Sequence, residues 1–204
     1  MCPGIPFVIS APSGTGKTTV CKTLVSSDDK LMISVSHTTR KRRPNEQDGR
    51  DYHFVSEHEF RMLIENRAFL EWAEYSANLY GTSCHAIDAP LSDGCDLVLE
   101  IEVQGAAQIK NRRQDARFIF LLPPSTEELE RRLRGRGTDS LEVIERRLAM
   151  TQRELKAVRG FDYAVVNDDL ATCVSSVKEI IEAERTGATN EVRNRYSIPK
   201  DCLD

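Results

Sequence analysis

A chain of 204 residues is long enough for one α/β domain with a sizeable core and one or two small insertions. Its formal net charge of −4 and pI of about 5.7 argue against a global match to nucleic acid or an anionic membrane, so any anion site must be local. No apolar run approaches the roughly 20 residues of a membrane span, and Met1–Ser10 lacks a basic start or a signal-like stretch. The six cysteines, Cys2, Cys21, Cys84, Cys95, Cys173 and Cys202, form no C-x-x-C pair and share no ligand spacing with the histidines, which fits small packing residues in a reducing compartment. A cytoplasmic location is expected.

The first predicted strand, Phe7–Ser10, runs straight into Ala11-Pro12-Ser13-Gly14-Thr15-Gly16-Lys17-Thr18-Thr19 and then a helical pattern through Val20, Cys21 and Leu24. Strand, glycine-rich loop and helix in that order make a P-loop. Glycines let successive N–H groups turn toward one phosphate, and the helix N-terminus adds a favourable field. Lys17 reaches the β- and γ-phosphates of a nucleoside triphosphate, and the Thr18 hydroxyl is placed for Mg²⁺. Ala11 stands where the pattern has its first glycine, which asks for unstrained backbone there.

A second strand is predicted at Met32–Ser36. It leads into Ser36-His37-Thr38-Thr39-Arg40-Lys41-Arg42-Arg43, ahead of Asp48-Gly49-Arg50-Asp51-Tyr52. Two guanidinium forks and a phenol can hold a phosphate dianion, although a solvated basic turn or a nucleic-acid patch reads the same way in isolation. Ser56–Glu59 matches a capping box before Phe60, Leu63 and Ile64, and Ser125–Glu128 matches another before Leu129 and Leu133. Asp139 is a third candidate cap. Further strands are predicted at Leu97–Ile101, Phe118–Leu122 and Tyr163–Val166. Runs so continuously apolar indicate strands buried on both faces, hence a doubly wound parallel sheet of five strands. Segments 37–93 and 125–159 break the strand–helix rhythm and are expected as insertions on the functional edge. The tail after Arg185 offers a loose helix, a partner contact or disorder.

The motifs S-x-T-T-R-x-x-R-x-x-E, D-Y-x-F, F-L-E-W, Y-G-T, E-I-E-V-Q-G, R-G-R-G and V-N-D-D, in that order from about Phe7 to Arg185, resemble the guanylate kinase family. The resemblance implies a P-loop NTPase-type core (1–36, 94–124 and 160–190), a mobile nucleoside-monophosphate insertion (37–93), a short helical lid (125–159) and a polar tail (191–204). It implies phosphoryl transfer from Mg·ATP to GMP or dGMP within purine nucleotide metabolism, with these small molecules, rather than nucleic acid or membrane, as partners. Arg40, Arg43, Tyr52 and Tyr80 would grip the GMP phosphate. Ser36, Glu71, Gly81, Thr82 and Glu102 would surround guanine. Arg132, Arg136 and Arg147 would act from the lid with Lys17 and Arg40 on the transferring group, and Asn167 would lie near adenine.

Chemistry supports Glu71 on its own account, because guanine presents N1–H and its 2-amino group side by side and one carboxylate accepts both. Alone, however, Glu71 reads equally as an exposed charge at a helix end. Glu100 and Glu102 replace the aspartates of the family's D-I-D, so each carboxylate sits one C–C bond further out. Glu102 is kept as a guanine contact and Glu100 as an outer-shell partner of Mg²⁺ or of Arg40. Two other classes compete: a guanylate-kinase-like module that binds phosphorylated segments without catalysis, and a P-loop kinase for another small acceptor. The intact Gly16-Lys17-Thr18 disfavours the first, and Glu71 discriminates the second.

Overall fold

The structure, a computed structural model, describes residues 3–75, 77–134 and 141–198, with the side chains of 141–147 and 152 outside that description. In chain order the first half comprises β1 (Pro6–Ser10), α1 (Lys17–Ser26), β2 (Leu31–Ile33), β3 (His37–Thr38), β4 (His53–Phe54), α2 (Glu57–Glu65), β5 (Phe69–Tyr75) and β6 (Asn78–Ser83). The second half comprises α3 (Cys84–Ser92), β7 (Asp96–Glu100), α4 (Val103–Arg112), β8 (Arg117–Leu122), α5 (Thr126–Arg134), α6 (Leu141–Lys156), β9 (Tyr163–Val166), α7 (Leu170–Thr186) and α8 (Thr189–Arg195).

Five strands make an all-parallel sheet in the order β2-β7-β1-β8-β9, as the apolar runs predict. Alternation along each strand explains why both faces are apolar. Phe7, Ile9, Val98, Ile119 and Leu121 enter one core with Val20 and Leu24 of α1 and Val177 and Ile180 of α7. Val8, Leu97, Leu99, Phe118 and Phe120 enter the other, with Ile87 and Leu91 of α3 and Ala106 and Ile109 of α4. The chain winds to one side of β1 and then to the other, which leaves the loop after β1 at the centre of the strands' C-terminal edge. Ligands of open α/β sheets bind along that edge.

The predicted strand Met32–Ser36 is shorter than expected, since β2 ends at Ile33. Ser34 donates its N–H to Val98, and at Ser36 the chain has already left to accept from His53. There a second sheet begins, of order β4-β3-β6-β5, mixed in direction. Its small core is Phe60, Phe69 and Leu79. The capping box at Ser56 is complete, with Ser56 and Glu59 exchanging side-chain and backbone bonds. The one at Ser125 is half made: Ser125 accepts from the Glu128 N–H, while the Glu128 carboxylate turns to Arg131 and Arg132. Asp139 lies outside the described residues.

The C-terminal segment folds back. Val192 and Tyr196 pack on the first core, and Ala164 of the edge strand β9 donates to the Tyr196 carbonyl. Among the described residues, no helix is long and apolar enough to cross a membrane.

Candidate functional site

The loop between β1 and α1 takes its shape from two left-handed residues, Gly14 at φ 92° and Gly16 at φ 94°. Ala11 is buried and is not among the residues of positive φ, so the missing first glycine costs no strain. Gly16 is the N-cap of α1 and offers no capping side chain, which leaves first-turn N–H groups for an anion. The loop is braced from outside. A Cβ on Gly14 would stand 2.8 Å from the Leu133 side chain, so α5 packs directly on the loop. Asn167 donates its side-chain amide to the Thr15 carbonyl at 2.6 Å.

Lys17 Nζ donates to the Ile101 carbonyl and to Glu102 Oε1, both at 3.0 Å. Burial works to lower the Lys17 pKa, but the Glu102 and Glu100 carboxylates outweigh it and hold the ammonium charged. The Thr18 hydroxyl donates to Glu100. Two hard oxygens thus stand together beside the helix N-terminus.

Lys17, Thr18, Glu100 and Glu102 form one wall of a cavity of about 640 Å³, whose far wall comes from the second sheet. At one end Arg40 lies 5.5 Å above the Tyr52 ring, and the Tyr52 and Tyr80 rings meet edge-on at 6.1 Å. Glu46 holds the Arg40 guanidinium at 2.8 Å and accepts from the Arg43 N–H at 2.9 Å. Burial, and then Glu100, pushes the Tyr52 phenol up to about 12, so it remains a donor. Arg43 reaches the cavity rim with a largely exposed side chain.

At the other end Glu71 is only 5% exposed. It reaches this position through a bulge. The register slips between Phe69 and Glu71, so three consecutive residues are buried in three places: Phe69 in the small core, Leu70 in the second core, and Glu71 in the cavity. Thr82, directly opposite on β6, donates to Glu71 Oε1 at 2.7 Å, and Ser36 Oγ lies 3.0 Å from the Thr82 hydroxyl. Burial pushes the Glu71 carboxyl up to about 7 against the pull of Thr82.

A basic, tyrosine-lined end and a buried carboxylate end, sharing one cavity with a P-loop lysine, match the order of the motifs along the chain. The guanylate kinase family model matches residues 4–184. The chain belongs to the guanylate kinase family. A guanylate kinase of Dechloromonas aromatica is 49% identical over 177 residues, which is 87% of this chain and 88% of the relative. One from a Shewanella species is 43% identical over 198 residues, 97% of this chain and 96% of the relative. The crystal structure of guanylate kinase from Anaplasma phagocytophilum superposes with a TM-score of 0.76 at 32% identity, covering 90% of this chain and 87% of that one.

Several residues expected from the guanylate kinase motifs sit differently than anticipated. Glu71 is a buried residue on strand β5, so the exposed helix-end reading falls. Glu100 meets Thr18 and not Arg40, whose partner is Glu46. Glu102 lines the cavity but commits one oxygen to Lys17. Arg132 is clamped by Glu128 and by the carbonyls of Asn167 and Asp168 at 2.8 and 3.1 Å. Asn167, expected near adenine, spends its amide nitrogen on the P-loop. Gly81, by contrast, lines the cavity; it pairs with His37 and Trp72, and a Cβ there would press on Phe60 at 3.0 Å. Arg136 lies outside the described residues, and Arg147 falls on α6 with its side chain outside them.

Two functional neighbours escaped the sequence reading. Glu46 is the final residue of the quoted arginine motif, but only the loop's turn brings it back onto Arg40. Glu154 of α6 sits in a run of alternating charges that reads as solvated surface, yet its carboxylate accepts from the Ser13 N–H of the P-loop at 3.4 Å.

Proposed function

We propose that this chain transfers the γ-phosphoryl group of ATP to GMP, and to dGMP, giving ADP and the nucleoside diphosphate. The observation that supports this best is the single cavity joining the Glu71–Thr82–Ser36 chain to Arg40, Tyr52 and Tyr80 beside Lys17. Ionised Glu71 accepts guanine's N1–H and 2-amino donors. With Glu71 ionised, Thr82 gives its one hydroxyl proton to it and accepts from Ser36, so the hydrogen bonds run in one direction. Adenine would bring an acceptor to a buried carboxylate, an unpaired arrangement that sites of this kind reject strongly.

The acceptor needs no general base. A phosphate monoester has its second pKa near ~6, so the attacking GMP oxygen is largely ionised at neutral pH. Arg40, preset by Glu46, and Arg43 hold that dianion with the two tyrosines. Lys17 swings from Glu102 to the β- and γ-phosphates, and the P-loop N–H groups cradle the donor. Thr18, with Glu100 behind it, fits Mg²⁺, which takes oxygen ligands and draws most of the others from phosphate and water. When bound, that ion neutralises charge on the β- and γ-phosphates. Arg132, Arg136 and Arg147 complete the charge around the transferring group as the lid and the second sheet close and exclude water.

The test is product analysis by phosphorus NMR with ATP, Mg²⁺ and GMP. ADP and GDP are expected in equal amounts, with transfer abolished and the fold intact in Lys17→Ala. Release of inorganic phosphate without GDP, or undiminished transfer in the variant, would contradict the proposal.

A further inference from the structure

Helix α4 begins at the cavity with Glu102 as its N-cap, and one of its faces lies along β5. Arg112 donates to the Phe69 and Leu70 carbonyls at the bulge. Gln108 accepts from the Trp72 N–H at 3.3 Å and donates to the Trp72 carbonyl at 2.7 Å. One turn before Gln108 on the same face comes Gly105. A Cβ on Gly105 would stand 2.2 Å from Glu71 Oε2 and 2.9 Å from its carboxyl carbon, closer than any Cβ contact allows. Gly105 is helical and not among the residues of positive φ, so backbone conformation does not require it. Glycine inside a helix is disfavoured relative to alanine, and the position needs another reason.

We infer that Gly105 is a specificity-determining position, whose missing side chain makes the room in which the Glu71 carboxylate meets guanine. The inference rests on Glu71 as the guanine contact. Gln108 and Arg112 fix the strand, Thr82 fixes one carboxylate oxygen, and Gly105 leaves space for the other. A methyl group there meets Glu71 Oε2 and also Ile101 Cγ2, at 2.6 Å; the carboxylate, at the far end of a flexible side chain, is the group displaced from the plane of the base.

Gly105→Ala is expected to raise KM for GMP at least tenfold and to lower the preference for GMP over AMP by a similar factor, with KM for ATP unchanged. In the double variant with Glu71→Ala, the alanine at position 105 is expected to add nothing to the GMP defect of Glu71→Ala alone, because it acts through the Glu71 side chain. Parent-like GMP kinetics in Gly105→Ala, or additive defects in the double variant, would overturn the inference. If Gly105→Ala does not fold, Glu71→Ala/Gly105→Ala decides: melting restored to that of Glu71→Ala supports the clash with Glu71, and no restoration places it on Ile101, whose Cγ2 is 2.6 Å from the same Cβ position, and overturns the inference. Guanine preference intact in Glu71→Gln would instead overturn the guanine reading, and this inference with it.

Discussion

Glu71 carries a carboxyl that burial holds near neutrality, at about 7, where an ordinary glutamate titrates at 4.5. On the proposed reading its ionised form would accept the two guanine donors, whereas its protonated form would turn a donor toward them. KM for GMP is therefore expected to rise as pH falls below about 7, by up to about tenfold per unit. The GMP phosphate adds a second limb near ~6. Glu71→Gln should keep that lower limb, lose the upper one and raise KM for GMP roughly 10- to 100-fold, since a charge-assisted hydrogen bond contributes about 1.5–3 kcal/mol. A parent profile that is flat through the upper limb would remove Glu71 from recognition. Stability has its own sign. The folded state holds this proton more tightly than the unfolded chain, so stability is lost as pH rises from 4.5 to about 7 and stays lost above that. In the ligand-free protein Glu71→Gln is thus expected to melt higher than the parent at alkaline pH, with the difference vanishing below 4.5. The residue type and its motif were legible in the sequence. Its burial was not, because the bulge at Leu70 breaks the alternation that periodicity relies on.

At the scale of elements, the second sheet rests on a core of Phe60, Phe69 and Leu79, far smaller than the two cores of the main sheet. Truncating a buried phenylalanine costs about 3–5 kcal/mol. Phe60→Ala is therefore expected to unfold this unit locally and to abolish GMP binding in calorimetric titration while ATP binding persists. Parallel loss of both nucleotides would show that the two sheets unfold together. Glu154 makes the opposite kind of contribution. Its carboxylate sits against the P-loop N–H of Ser13, which the proposed function gives to triphosphate oxygens, and Glu154→Gln is expected to lower KM for ATP roughly two- to fivefold by removing one nearby negative charge. An unchanged KM would leave Glu154 a surface residue. The main strands and the Ser56 cap were readable because they depend on local pattern. β3 and β4 were not, because strands of two residues carry no period. For the tail a helix is one of three open readings, and its docking was not legible, since Val192 and Tyr196 give a core-facing signal only once β9 offers an edge.

Across the whole molecule, a chain of net charge −4 concentrates Lys17, Arg40, Arg43 and the P-loop N–H groups around one cavity, and sets Glu71 at its far end. On the proposed reading the two ends divide the substrate between them: a dianion toward the donor phosphates, a pair of N–H donors toward Glu71. Lys17 and Thr18 were legible because strand, loop and helix follow one another in sequence. The meeting of Glu71, Thr82 and Ser36 depends on β5, β6 and the departure from β2, which no local segment specifies. The most direct test is ADP release by the purified protein with Mg·ATP and GMP, dGMP, AMP, CMP or UMP offered singly. The account predicts strong turnover with GMP and dGMP and little with AMP, CMP or UMP. Equal turnover with AMP, or silence with every monophosphate, would contradict it.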